Sequence, residues 1–228
     1  MKSIAHIRTD FPDKFGIPRQ SGMIEELGGR IIFEPEFRRP EALRGLEEFS
    51  HIWLLWEFSE NNREYWDATV RPPRLGGNKR IGVFATRSPF RPNNIGLSCV
   101  RLERIEEDEE FGKVLIVRGA DLMDGTPIYD IKPYIPFTDC RPEASEGYTR
   151  DTRLHKLKVD FPEELLLKYP PKKRAAVCHV LEQDPRPGYI QDAERIYGMS
   201  FAGFDVRFRV EGDTLAVCGV EEISDKKK

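Results

Sequence analysis

The chain has 228 residues, 39% of them apolar and 33% charged, and its 36 basic and 39 acidic residues leave a formal net charge of −3. A chain of this length buries roughly 70% of the surface its unfolded form exposes, so it needs no disulfide or metal staple, and its aromatic content excludes wholesale disorder. The charge balance excludes a globally basic polyanion binder, and no run reaches the ~18 apolar residues of a membrane helix.

In chain order, residues 3–8 alternate and predict a strand, with no secretory apolar core among the first residues. Residues 10–23 carry Pro12, Gly16, Pro18 and Gly22 and predict an ordered loop. A strand is expected at 30–34 and a short helix at 40–46, with Pro40 near its first position. The continuous aromatic run His51–Phe58 predicts a strand buried on both faces. Further strands are expected at 80–85, 96–105, 113–121 and 128–132. Short strands with one brief helix predict a closed or nearly closed β-barrel over residues 1–140, and the missing crossover helices argue against a βαβ sheet.

Residues 141–153 are polar and aperiodic and predict a linker or long surface loop. Residues 154–228 predict a small α+β domain. It has helices beginning at Phe161 and spanning Pro171–Leu181, then strands at 200–210 and 214–220 about a turn at Glu211-Gly212-Asp213. The fold expected is therefore mainly β, an N-terminal β-barrel with an α+β appendage. Cys99, Cys140, Cys178 and Cys218 stand far apart, with no CxxC pair, and predict reduced thiols in a cytoplasmic protein. The four histidines show no metal-ligand spacing, so no metal is expected.

The chemistry concentrates between Ala68 and Leu102. This stretch has no Asp or Glu and holds seven cations: Arg71, Arg74, Lys79, Arg80, Arg87, Arg91 and Arg101. Prolines stiffen it and glycines let the backbone approach a ligand. Such a loop is either a solvated surface paired with acids elsewhere or a rigid cationic rim for phosphate or carboxylate groups, which arginine binds bidentately.

Four segments then resemble one family. They are Pro18-Arg19-Gln20 with Gly22; the run Thr69–Asn78 leading into Ile81–Leu97; Asp121–Tyr134; and Gln183–Tyr189 ahead of Asp205–Val210. Together they resemble the TrmO-type (YaeB/TsaA-like) tRNA threonylcarbamoyladenosine N6-methyltransferases over essentially the whole chain. The resemblance implies methylation of N6 of threonylcarbamoyladenosine at tRNA position 37, beside the anticodon. It also implies S-adenosylmethionine as donor, a β-barrel scaffold, and a homodimer with the donor site near the subunit interface. The residues agree on two points: no glycine-rich Rossmann fingerprint occurs, and a local cationic surface on an otherwise acidic protein suits a selected RNA contact.

Carried onto this sequence, the resemblance places Pro18, Arg19, Gln20, Ser59, Glu60, Arg87, Leu97, Ile128, Tyr129, Asp130 and Ile131 at the cofactor. Backbone groups at 128–131 would read the adenine edge, and Leu97 would give an apolar wall. Glu60 or Asp130 would hold ribose hydroxyls or the amino group, and Arg19 or Arg87 the carboxylate. The N6 proton needs an acceptor, with Asp130 first, Tyr134 next and Asp184 third. Arg74, Arg91 and Arg186 are the cations expected at the substrate, with Asp184 beside them. Trp53 and Trp56 are read as core. A noncatalytic RNA-binding barrel, or a binder of a small carboxylated ligand, would use the same arginines.

Overall fold

The structure, a computed structural model, describes residues 1–61, 65–72, 75, 79–150, 156–186 and 192–223. The N-terminal strands are β1 (Ala5–Arg8), β2 (Gly28–Phe33), β3 (His51–Glu57), β4 (Thr69–Val70), β5 (Ile81–Gly82), β6 (Ile95–Asp108), β7 (Gly112–Arg118) and β8 (Pro127–Pro133). Six of them close into a barrel in the order β1-β2-β7-β6-β3-β8, and β8 returns to β1 through Ala5↔Ile128. The fourteen-residue β6 pairs with β3 along its first half and with β7 along its second. A bulge between Leu102 and Arg104 marks the change of partner and supplies the bend a strand needs to follow a closed ring. β4 and β5 form a separate two-stranded ribbon.

The interior of the ring is filled from alternate positions, including Ile7, Ile31, Ile52, Leu54, Val100 and Leu115, all 0–1% exposed. Alternation corrects the expectation that 51–58 is buried on both faces. Ile52, Leu54 and Trp56 point inward, while Trp53, Leu55 and Glu57 lie half-buried on the outer face. Trp53 is therefore not core. Its indole Nε1 donates to Asp139 at 2.9 Å, and only Trp56 packs inside.

Three other local expectations change. The helix at 40–46 is two 3₁₀ turns, Pro40–Leu43 and Leu46–Glu48, separated by Gly45 at φ +83°. The strand at 80–85 stops at Gly82 and becomes a 3₁₀ turn over Val83–Ala85, with Val83 alone buried. The strand at 113–121 ends at Arg118, because Gly119 takes φ +75°.

The remainder holds α1 (Pro136–Asp139), β9 (Lys158–Asp160), α2 (Glu163–Leu166), α3 (Pro171–Glu182), β10 (Tyr197–Phe201), β11 (Phe204–Glu211) and β12 (Thr214–Glu222). The sheet order is β10-β11-β12-β9, with β9 parallel to β12. The strand expected at 200–210 is split by Ala202 and Gly203, at φ +51° and +85°. Two successive positive φ values fit the tight hairpin turn that matches strand twist. On α3, Ala176, Val177, Val180 and Leu181 make one buried stripe against the sheet.

Residues 9–27 join this second core rather than lying free on the ring. Phe11, Ile24 and Leu27 are 1–3% exposed within it, and Phe11 packs on Phe201 with ring centroids 5.1 Å apart. Ala202 N–H donates to Asp10 O at 2.9 Å, and Lys173 pairs with the Asp10 carboxylate. Among the described residues, no helix is long and apolar enough to cross a membrane.

Candidate active site

The loop 9–27, anchored at both ends in the second core, carries Pro18, Arg19 and Gln20 across the mouth of the ring. There they form one wall of a cavity of about 540 Å³, within the range of small-molecule sites. Ser59 and Glu60, just past β3, form a second wall, and Arg87 and Arg91 a third. Leu97, 50% exposed, supplies apolar surface, and Asp121 lines the cavity from the loop after β7. Eight residues singled out in the sequence thus meet: Pro18, Arg19, Gln20, Ser59, Glu60, Arg87, Arg91 and Leu97.

The cavity floor is built on a glycine. Gly96 pairs with Trp56 across β6 and β3, and a Cβ there would lie 2.3–2.6 Å from indole carbons. With no side chain at 96, the indole Nε1 donates to Ser98 Oγ at 2.9 Å. The Ser98 hydroxyl, fully buried, in turn donates to Asp121 Oδ1 at 2.6 Å. The Ser21 backbone N–H is a further donor to this carboxylate, and Gly22 N–H donates to Gly119 O at 2.9 Å. Asp121 therefore fastens the 18–22 loop to the ring. Burial pushes its carboxyl up to about 6, with hydrogen bonds and the nearby Arg87 charge acting in the opposite direction. Arg87 Nη1 donates to Gln20 Oε1 across the opening.

Other expected residues lie apart. Ile128 is fully buried in the ring, and its carbonyl already accepts Ile4 N–H at 2.8 Å. Tyr129 sits at a bulge opposite Leu55 and Trp56, where its hydroxyl donates to Glu57. Burial and that carboxylate push the phenol up to about 12. Asp130 and Ile131 line a different groove, of about 790 Å³, with Phe33, Phe37 and Phe49. Asp130 pairs with Lys132 at 2.8 Å and accepts Ile131 N–H at 2.9 Å. Strand register nonetheless puts Asp130, Leu55 and Leu97 in one row on the outer face, so Asp130 stands about 10 Å from Leu97, two strand spacings away.

Tyr134 lies on the same outer face between His51 and Trp53. Burial, then the neighbouring Cys140 and Cys99, hold its phenol above the usual range. Arg91 spends Nη1 on Val83 O and Thr86 O at 3.1 and 2.7 Å, so it braces the 83–86 turn as well as lining the cavity. Asp184 takes φ +52° and holds Arg186 bidentately, at 2.8 and 2.9 Å, with both side chains 14% exposed. Asp184 and Pro185 face Lys14–Arg19 across a small cleft of about 110 Å³. Arg74 lies outside the described residues. All four cysteines are free thiols, and among the described residues no cluster of three His, Cys, Asp or Glu could hold a metal ion.

Sequence reasoning missed Asp121 and Ser98, and took Gly96 for a point of close ligand approach where the structure has it making room for the Trp56 indole. Asp121 stands inside a segment that the resemblance already used, but its partners are Ser21 and Ser98, which only folding brings near. Missed too was an exposed aromatic pair beside the cavity. Trp66 and Phe84, 46% and 71% exposed, stack with centroids 5.9 Å apart, and the Arg91 guanidinium lies 5.7 Å from the Phe84 ring. Exposed Arg71, Lys79 and Arg80 belong to the same acid-free stretch.

A strand ring with a charged cleft at its mouth has close counterparts among known proteins. TrmO from Pseudomonas aeruginosa superposes with a TM-score of 0.76 at 33% identity, covering 96% of this chain and 97% of that one. A Pseudomonas aeruginosa relative, RcsF, bears the name of an S-adenosylmethionine-dependent methyltransferase. It is 40% identical over 213 residues, 90% of each chain. A protein of Escherichia coli (strain K12), tRNA (adenine(37)-N6)-methyltransferase, is 40% identical over 228 residues, 96% of this chain and 97% of its own. Fold and relatives together define the class, a tRNA methyltransferase built on a ring of strands. Family models then place the chain within that class. Residues 6–140 match the tRNA-methyltransferase O N-terminal domain and residues 155–223 the TrmO C-terminal domain. The chain belongs to the TrmO family.

Proposed function

We propose that this enzyme moves the methyl group of S-adenosylmethionine to N6 of threonylcarbamoyladenosine 37 in the tRNA anticodon region, and that it works in the cytoplasm as a homodimer. The observation that carries the reading is the meeting of Gln20, Arg87, Asp121 and Leu97 in one cavity. Opposite charges beside an apolar wall suit a zwitterionic nucleoside such as this donor. When bound, the donor supplies an electrophilic methyl group on a positive sulfur.

The chain's own part is to hold, orient and deprotonate. Pro18, Arg19, Gln20 and Arg87 hold the donor, Ser59 and Glu60 take its ribose hydroxyls, and Leu97 excludes water. Placing nucleophile and methyl in line accounts for much of the rate. The N6 lone pair is drawn into the carbamoyl group, so its proton needs a basic acceptor. Asp130 suits this better than Tyr134, whose raised phenol stays protonated at neutral pH. In one protomer Asp130 lies outside the cavity. A second copy seated on the outer face, where Leu97 is 50% and Phe137 86% exposed, would bring Tyr129 and Asp130 of the partner to complete the site.

For the tRNA, Arg71, Lys79 and Arg80 offer phosphate contacts, and the Trp66–Phe84 pair offers a face on which an unstacked base can rest. The threonyl carboxylate falls to Arg74 and Arg91, with Arg186 held ready by Asp184. Mass spectrometry of nucleosides tests the reading, after incubation of enzyme and S-adenosylmethionine with tRNA that carries or lacks the threonylcarbamoyl group. The expected product is a methyl group on the modified adenosine only. Methylation of unmodified adenosine, or of neither, overturns it.

A further inference from the structure

We infer that Asp121 and Arg87 form a paired-charge seat for the amino-acid end of the methyl donor, Asp121 receiving its α-ammonium and Arg87 its α-carboxylate. This rests on the reading that the donor occupies the cavity at the ring mouth. The two groups line that cavity from different loops, Arg87 on the exposed rim and Asp121 deeper. Arg87 is close enough to influence Asp121 electrostatically, yet among the described residues no cation lies within ion-pair distance of the Asp121 carboxylate.

Its donors are the neutral Ser98 hydroxyl and the backbone N–H groups of Asp121 and Ser21, and the Arg87 guanidinium is engaged by Gln20. A desolvated carboxylate served only by neutral donors is a costly arrangement for a purely structural acid. An arriving ammonium would relieve that cost. The other acids at the cavity are less suited: Glu57 is engaged by the Tyr129 hydroxyl, and Glu60 is solvent-exposed.

The chain from Trp56 through Ser98 fixes the Asp121 carboxyl before any ligand arrives. Pre-organisation of this kind lowers the cost of binding. The arrangement also predicts a dependence on pH. Asp121 titrates near 6 in the unliganded protein, so below that pH an ammonium must compete with a proton. The charged groups around it are Arg87 and Arg91 on the loop between β5 and β6, Arg19 and Lys14 on the 14–20 loop, Glu57 at the end of β3 and Glu60 just past it.

Calorimetry of the full chain with three probes tests the seat. They are S-adenosylhomocysteine, its analogue lacking the amino group, and 5′-methylthioadenosine, which lacks the whole amino-acid end. Wild-type protein should bind the deaminated analogue about 10- to 100-fold more weakly than S-adenosylhomocysteine, the range expected for a charge-assisted bond. Asp121→Asn should erase that difference and leave 5′-methylthioadenosine binding within about twofold, with an unchanged fold by circular dichroism. S-adenosylhomocysteine affinity should fall below pH 6 in the wild type and stay flat in the variant.

Equal weakening of all three probes by Asp121→Asn would make Asp121 a scaffold residue and overturn the inference. So would equal wild-type affinity for the first two probes, an arm that requires no variant. The donor-site reading fails separately if Arg87→Ala leaves S-adenosylhomocysteine binding untouched. Loss on Arg87→Ala with no loss on Asp121→Asn sinks the seat alone.

Discussion

The loop bearing Asp121 and the strand bearing Asp130 run consecutively in the chain, yet they hold their carboxylates in opposite ways. Asp121 is fixed by Ser98 and Ser21 in a cavity and driven toward its neutral form. Asp130 sits on the outer face of the ring, with a side chain 45% exposed and paired to Lys132. The first acid costs the unliganded protein stability, whereas the second costs almost nothing. The difference shows that a carboxylate's surroundings decide whether it acts as a prepared ligand site or as ordinary surface charge.

The contrast breaks most completely if the floor under Asp121 is removed. Gly96→Ala would drive a methyl group into the Trp56 indole at 2.3–2.6 Å, in a strand pair whose register sets the two residues opposite each other. We expect a loss of about 3 kcal/mol in urea unfolding, at the upper end of overpacking costs. A loss below 1 kcal/mol would show that the indole swings aside and that the Trp56–Ser98–Asp121 chain is not a rigid floor.

A smaller effect reports on Asp121 itself. Its carboxyl is raised from 3.8 to about 6 in the folded chain, so the folded state holds that proton more tightly than the unfolded one. The stabilisation is full below the unfolded value and is lost as pH rises from about 4 through 6. Unliganded wild-type protein should therefore lose ~1–2 kcal/mol relative to Asp121→Asn between pH 4 and pH 8, a figure discounted for partial exposure. Parallel stability curves for the two proteins across that range would contradict the burial argument.

Asp130→Asn should give the smallest change. Its ion pair with Lys132 is solvent-exposed on both sides, and such pairs contribute about 0–1 kcal/mol. Thermal and urea midpoints should stay within about 0.5 kcal/mol of the wild type. A larger loss would mean that Asp130 already supports the strand, and the comparison with Asp121 would lose its contrast.

Much of the architecture was legible in the sequence. Alternation marked β1, and the turn-punctuated short strands pointed to the ring. The limits had physical causes. In the 51–58 run both faces carry apolar residues, so the pattern concealed that Trp53 and Leu55 face outward. In the 200–210 run Gly203 alone marks the break, because Ala202 takes a left-handed turn that alanine rarely adopts. Arginine and proline density singled out the stretch around Arg87, whereas Pro18–Gln20 were singled out only by the resemblance. Asp121 was not legible, since its significance depends on Ser98, 23 residues upstream on β6.

Residues 9–27 also bind the fates of the two halves together. Phe11, Ile24 and Leu27 are seated among side chains of α3 and the C-terminal sheet, while Pro18–Gln20 form the cavity wall. The wall is thus held from both halves, by these side chains on one side and by the Ser21–Asp121 and Gly22–Gly119 hydrogen bonds on the other. Loosening of α3, or a partner pressing on the C-terminal sheet, would be felt at the ring mouth without any displacement of the ring. A fragment cut after the ring would expose three large apolar side chains and leave the wall held by its ring contacts alone.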